Sequence, residues 1–260
     1  MTEGVPENLL ESVRDYWNGH VHDWKVARSK AGTKEFFEEI EAYRFDKLHY
    51  LPRLVDFNAY ASQRVLDVGC GVGNDLSRFA RGGAEVFGID LAEHSIELAR
   101  ANFSQRSLQG QFEVMNGEQM RFPDNSFDLV YCHTVLHFTP HPQRMVDEIY
   151  RVLKPHGQAI IMTVNRRSWL NFLRKIMYVE IDHLDAPVFR QYTVREFRRL
   201  LSPFATVTVI PERFPVPTKV HAGIKARLYN ILFVDLFNAL PRRWVRGSGH
   251  HLMAFASKAA

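Results

Sequence analysis

Cysteine is scarce in this chain, long apolar runs are absent, and no segment is repetitive or compositionally biased. Two cysteines in 260 residues, Cys70 and Cys132, cannot build a disulfide framework or a cysteine zinc site, so a reducing, cytoplasmic setting is expected. No stretch reaches the roughly 18 apolar residues that a spanning helix needs. The nearest, residues 228–240, is shorter and is interrupted by Asn230, Asp235 and Asn238. The opening residues, MTEGVPENLL, lack a basic region followed by an apolar one, so no secretory leader is expected. With 15 Gly, 12 Pro, 24% charged and 46% hydrophobic residues, disordered, collagen-like and disulfide-rich classes are excluded.

Acidic residues become rare toward the carboxyl end. Residues 189–260 carry 12 Lys or Arg against 3 Asp or Glu, whereas the first 188 carry 21 against 26. A basic final quarter suits a solvated surface, nucleic acid, anionic lipid or an acidic substrate.

Helical spacing dominates the first 56 residues. Phe36, Ile40, Tyr43 and Leu48 recur on one face within residues 35–51, and Pro52 is the expected stop. From Gln63 the pattern changes to short β-branched runs separated by amphipathic segments. RVLDVGCG, AEVFGID, QFEVM, SFDLVYCH and QAIIMTVN read as strands. Residues 74–83, 91–103 and 142–157 read as helices, the last ended by Pro155 and Gly157. This alternation predicts an α/β fold, a doubly wound and mostly parallel sheet with helices on both faces.

Beyond Asn165, residues 168–181 read as a helix, 182–192 as a loop, and 194–204 as a helix with Thr193 and Glu196 as its capping box. ATVTVIPERF and HLMAFASK are the last predicted strands. Residues 215–250 between them are long for a connection and predict a structured insertion. The expected organisation is a helical cap over 1–56 and one domain over 57–260. Within that domain, 63–165 form the alternating strand–helix half and 166–192 a cap segment.

The segment Asp67-Val-Gly-Cys-Gly-Val-Gly73 follows a predicted strand and precedes a predicted helix. Its glycines permit a sharp turn and close approach of a ligand to the backbone. A dinucleotide fingerprint reads G-x-G-x-x-G and sets a pyrophosphate on the helix N-terminus. Here the spacing is G-x-G-x-G and the helix opens on Asn74 and Asp75, an acidic start that favours a zwitterionic or cationic ligand. Asp90 ends the second strand, 17 residues after Gly73, where a carboxylate accepts from both ribose hydroxyls in related folds.

In this order, VLDVGCGVGND, VFGID, FPDNSFDLVYCHTVLHF and IYRVLKPHGQAII resemble the class I S-adenosylmethionine-dependent methyltransferases, in particular the small-molecule, UbiE-like or type 11 group. The resemblance covers residues 64–165. It implies a Rossmann-like seven-stranded sheet and S-adenosyl-L-methionine as cofactor, leaving S-adenosyl-L-homocysteine as product. It also implies in-line methyl transfer to a small-molecule O, S, N or C nucleophile. Gly69, Cys70 and Gly71 would pass under the methionyl part, with Asp67 near its amino group. Asp90 would take the ribose hydroxyls, and Leu91 would lie against the adenine. Asn116, Gly117 and Glu118 stand where the family has Asp-Ala-Glu, so Asn116 would accept from the adenine amino group through its amide oxygen. Cys132 and His133 would lie beside the sulfonium.

Oxygen and carbon acceptors usually need a base; a thiolate does not. His133 and His137 follow the fourth strand, and a helix beginning there would put both on one face, as base or orienter. Their H-x-x-x-H lacks the internal glutamate and third ligand of a zinc site, so no metal is expected. Tyr16, Trp17 and Tyr43 resemble family segments that fold over the cofactor, while Arg190 and Tyr192 are candidate pocket residues beside the capped helix. The leading alternative is a quinone- or lipid-like acceptor met at an anionic membrane surface through residues 228–246. A further one is RNA or protein methylation, against which stand YCHT in place of an N/D-P-P-Y/F loop and the lack of an RNA-binding module. No nucleic acid partner is therefore expected. The last is a protein that binds the cofactor without catalysis.

Overall fold

The computed structural model describes residues 8–21, 23–177, 183–215 and 234–260. The apolar run Arg64–Val68 forms strand β1, buried at every position but its first, as a strand covered on both faces must be. On one side of it lie β2 (Glu85–Asp90) and β3 (Gln111–Val114). On the other lie β4 (Phe127–Cys132), β5 (Leu153–Val164), β7 (His251–Ser257) and β6 (Thr206–Glu212). The sheet order is 3-2-1-4-5-7-6. Only β7 runs antiparallel to its neighbours. The expected seven-stranded, mostly parallel sheet is present.

Because side chains alternate along a strand, the sheet has two cores. Leu66, Val68, Val130 and Cys132 pack with Met145, Val146 and Ile149 of helix α6 (Pro142–Val152). Val65, Leu129, Tyr131 and Ile160 pack on the opposite face with Leu51, Leu76 and Phe79. Helices α4 (Asn74–Arg81) and α5 (Glu93–Gln105) complete the half of the sheet built on β1, β2 and β3.

The cap comprises α1 (Leu9–Gly19), α2 (Lys34–Lys47) and α3 (Leu51–Leu54). Helix α2 is fastened by charge as well as by oil. Phe36, Phe37 and Ile40 bury against Val72 and Leu98. One turn away, the Glu41 carboxylate accepts from Arg78 (3.1 Å), Arg81 (2.7 Å) and Arg106 (2.6 Å). Burial alone would raise the Glu41 pKa, but Arg81 and Arg106 hold it below the ordinary carboxylate range.

Three boundaries differ from the sequence expectation. Helix α2 stops at Lys47, and Pro52 opens the short α3 instead of ending α2, a position where its missing N–H costs nothing. Helix α6 stops at Val152, before Pro155, because the residue ahead of a proline is pushed out of the helical region. Lys154 is thereby free to hold Asp128 at 2.8 Å, while Asp128 also accepts from the Arg64 amide. Helix α7 is described over Trp169–Met177 and α8 over Val194–Leu200, the latter with its Thr193–Glu196 capping box formed. Most of the predicted insertion, residues 216–233, lies outside the described residues, as do 178–182 of the cap segment.

From β1 the chain winds first toward β3 and then returns to place β4 on the other side of β1. A crevice opens at the carboxyl ends of these two strands, where open α/β sheets bind ligands. Antiparallel β7 brings its first residue, His251, to that same edge, opposite Val164 of β5 and Glu212 of β6.

Candidate functional site

The turn after β1 carries left-handed backbone at Gly69 (φ +72°) and Gly71 (φ +52°), which only glycine adopts without strain. The two positions differ in what surrounds them. A Cβ at Gly69 would overlap the Val135 side chain, whereas one at Gly71 would meet no protein atom within 4 Å. Gly71 faces a cavity bounded by the turn, the carboxyl ends of β1, β2 and β4, and the cap.

Two of the acids that line this cavity are in different states. Asp90 is engaged, with Oδ2 accepting from the Gly71 amide (3.0 Å) and Oδ1 from the Ala92 amide (2.9 Å). Burial raises its pKa against those backbone donors. Asp67 is 4% exposed and, among the described residues, receives no hydrogen bond. Burial, with Asp75 and Asp90 nearby, pushes its pKa well above the usual carboxylate range. A buried carboxylate without a donor is costly, and a cationic ligand group would relieve it.

The third acid, Asp75, is already matched. Arg44 of α2 grips it with two bonds, Nε to Oδ1 at 2.6 Å and Nη2 to Oδ2 at 2.5 Å, and the Tyr131 hydroxyl donates to Oδ2 at 2.8 Å. Against the effect of burial, Arg44 holds the Asp75 pKa low. The acidic helix start therefore presents no bare charge, and Asp67 is the acid that solicits a cation.

Arg44 Nη2 also lies 3.1 Å from His133 Nδ1, with Thr134 Oγ1 at 2.7 Å from the same nitrogen. A guanidinium only donates, so Nδ1 is an acceptor and the neutral ring carries its proton on Nε2, toward Tyr50 Oη at 3.5 Å. Tyr50 in turn meets His251 Nδ1 at 2.6 Å, and His251 Nε2 meets Arg213 Nη1 at 3.0 Å. A polar chain thus runs from the first turn of α4 through the cap to the start of β7.

His137 does not share a face with His133. Thr134 adopts φ +70°, which breaks any helix, and only Leu136–Phe138 form a short 3-10 turn. His133 lines the first cavity, while His137 lines a second, adjoining one that also shares Arg44, Thr134 and Phe138.

Of the residues expected at the cofactor, Asp67, Gly69, Cys70, Gly71, Asp90, Leu91, Asn116, Gly117 and His133 line the first cavity. Glu118 and Cys132 do not. The Glu118 carboxylate is committed to the segment after the 3-10 turn, accepting from Thr139 Oγ1 and the His141 amide and meeting His141 Nδ1 at 2.8 Å. Cys132 is fully buried among the α6-facing core residues. Burial raises the thiol pKa of both Cys70 and Cys132, so neither is a ready thiolate. Asn116 Oδ1 accepts from the Glu118 amide at 2.9 Å.

Trp17 of α1 lines the cavity edge-on to Phe138, with ring centres 4.9 Å apart. Tyr16 points elsewhere, donating to Asp185 at 3.0 Å. Burial and Asp185 raise its pKa to about 12, and it pins α1 to the cap segment. Tyr43 lies outside both cavities under the Lys47 ammonium. Arg190 bonds the His137 and Pro140 carbonyls, and Tyr192 extends the edge of β5 beside Asn165; neither lines either of these two cavities. Arg44, Tyr50, Tyr131, Arg213 and His251 are the polar residues that sequence reasoning missed.

The family model described as a methyltransferase domain matches residues 66–161, the stretch that supplies the glycine turn, Asp90 and the β4 edge. Residues 66–161 are a class I, S-adenosylmethionine-dependent methyltransferase domain. A ubiquinone biosynthesis O-methyltransferase from Alkalilimnicola ehrlichii is 30% identical over 165 residues, covering 61% of this chain and 66% of that protein. A sterol 24-C-methyltransferase from Gibberella zeae is 32% identical over 154 residues, covering 58% and 38%. These matches span two thirds or less of the relatives' own length. The solved YcgJ protein of Bacillus subtilis superposes on the methyltransferase fold with a TM-score of 0.59 at 20% identity, covering 82% of this chain and 99% of that one. Among the described residues, no helix of this chain is long and apolar enough to cross a membrane. Nor do three or more His, Cys, Asp or Glu side chains group to hold a metal ion among them.

Proposed function

We propose that this protein transfers a methyl group from S-adenosylmethionine to a small-molecule acceptor by in-line displacement. The observation that carries this reading is the Asp67 carboxylate, which lines the cavity with no hydrogen-bond donor among the described residues and adjoins a glycine turn whose Gly71 leaves room for a ligand. That donor set suits a zwitterionic nucleoside better than a phosphate. When bound, the cofactor supplies an electrophilic methyl on a sulfonium.

The chain's own residues would then bind and orient. Asp67 takes the methionyl ammonium, and Asp90, fixed by two backbone amides, keeps lone pairs for the ribose hydroxyls. Asn116 spends one of its two amide oxygen lone pairs on Glu118, which leaves the other lone pair and its NH2 group for the adenine edge. Displacement needs the acceptor atom about 3–3.5 Å from the methyl carbon and in line with the breaking bond. His133 suits that positioning task better than proton abstraction, because its Nδ1 is already taken up by Arg44 and Thr134.

Calorimetric titration with S-adenosylhomocysteine tests the cofactor half. Asp90→Asn is expected to weaken binding roughly tenfold, since a hydrogen bond to a charged group contributes about 1.5 kcal/mol or more. Equal affinities of variant and parent would remove Asp90 from the site. Tritiated-methyl transfer to phenols, thiols, amines, carboxylates and quinone precursors tests the reaction itself. Labelled product from at least one class is expected.

A further inference from the structure

Building on the methyltransferase reading, we infer that the second cavity is the acceptor chamber and that it selects an acceptor carrying a carboxylate beside an apolar body, with Arg213 as the anion anchor. This chamber adjoins the first cavity through Asp23, Arg44, Thr134 and Phe138. Its apolar surface comes from Leu48, Phe138, Met162, Val164, Leu170 and Phe189.

The charges in the chamber do not balance. Arg44 is matched by Asp75, and Lys47 meets Asp23 at 3.2 Å. Arg213 has no carboxylate of the described residues within 4 Å, and its neighbour Glu212 is turned to Arg53 at 3.7 Å. What Arg213 does meet is an imidazole, His251, at 3.0 Å. Since the guanidinium can only donate, His251 accepts at Nε2 and gives its Nδ1 proton to Tyr50 at 2.6 Å. Burial and Arg213 itself keep His251 neutral, well below the ordinary histidine range. The imidazole therefore aims the guanidinium without cancelling its charge.

The backbone adds an independent sign. Arg213 is held at φ +59°, a conformation that L-residues other than Asn, Asp and Gly seldom adopt. Two donors to its carbonyl, Trp169 Nε1 at 2.7 Å and the His250 amide at 3.2 Å, hold it there. Strain maintained by its surroundings is characteristic of functional positions. One planar cation against an apolar wall matches one planar carboxylate bidentately; a dianion would remain under-neutralised.

The test uses the full chain saturated with S-adenosylhomocysteine and a panel of aromatic and medium-chain aliphatic acids, each paired with its methyl ester. Ligand-observed NMR gives the dissociation constants. Acids are expected to bind at least tenfold more tightly than their esters. Arg213→Met is expected to weaken the acids roughly 10- to 100-fold, the scale of a lost charge-assisted pair, with ester and S-adenosylhomocysteine affinities unchanged. Esters equal to acids in the parent, or an equal loss for both in the variant, would overturn the assignment. Absence of any acid binding while S-adenosylhomocysteine still binds would overturn it and leave the cofactor reading standing. Failure of S-adenosylhomocysteine itself to bind would overturn both.

Discussion

Arg44→Ala is expected to destabilise the protein by about 3–5 kcal/mol, the usual cost of leaving one member of a buried ion pair alone. The Arg44 and Asp75 side chains are 13% and 5% exposed, so solvent can screen little of the loss. The pH dependence follows from the sign of the Asp75 shift. A carboxyl held low in the folded state contributes stability above its unfolded pKa of about 3.9 and loses it as pH falls through the folded value. In the variant Asp75 lacks its cation, so protonation relieves it. The gap between parent and variant should therefore start to narrow above the unfolded value, as pH falls through the variant's raised Asp75 pKa, and go on narrowing below about pH 4 in urea unfolding series. A constant gap, or a loss under about 1 kcal/mol at neutral pH, would show that the pair is not a buried one.

Asp67→Asn should have effects of opposite sign on stability and on binding. The Asp67 carboxyl is raised in the folded state, so stability falls as pH climbs from the unfolded value through the folded one. Removing the charge should stabilise the ligand-free protein at pH 7 by about 1 kcal/mol, or roughly 2–4 °C in Tm. The same change should weaken S-adenosylhomocysteine binding roughly 10- to 150-fold, as expected for about 1.5–3 kcal/mol of charge-assisted hydrogen bonding. Parent affinity should also fall on acidification, while variant affinity stays flat. Scanning calorimetry with and without ligand reads both effects. A variant that is less stable and binds normally would remove Asp67 from the ammonium site.

The parts of the site that sequence reveals are those built by neighbours in sequence. A strand, three glycines and a second strand ending in an acid put Asp67, Gly71 and Asp90 together by local geometry alone. Arg44 and Asp75, 31 residues apart, and Tyr50 and His251, 201 apart, meet only through tertiary packing, which periodicity does not report. A signal was nevertheless present. Glu41 and Arg44 fall among Phe37, Ile40 and Leu48 on one helical stripe, and charges on a buried stripe announce partners. Tyr43 lies about 100° round the helix from the cavity-lining Arg44, which is why it misses the cavity.

Strand alternation likewise carried a warning about Cys132. In an extended strand, neighbours point to opposite faces, so Cys132 and His133 were poor candidates to share one ligand. The left-handed Thr134 had no signal at all, since threonine rarely adopts that conformation, and with it the separation of His133 from His137 was hidden. Asp75 misled in another way: its charge was legible, but its countercharge came from a different element.

The Tyr50–His251 bond bears on how the site is made as well as on how it works. The floor beneath Asp67 and Asp90 is encoded within about 80 consecutive residues, by the βαβ logic of its strands. The adjoining chamber waits for a strand that is inserted between two others and follows all six other strands in sequence. Contacts at such separation form slowly, because much of the polypeptide must already be ordered before they hold. During synthesis, then, the half around the glycine turn can assemble early, whereas the proposed acceptor chamber is completed only as β7 docks.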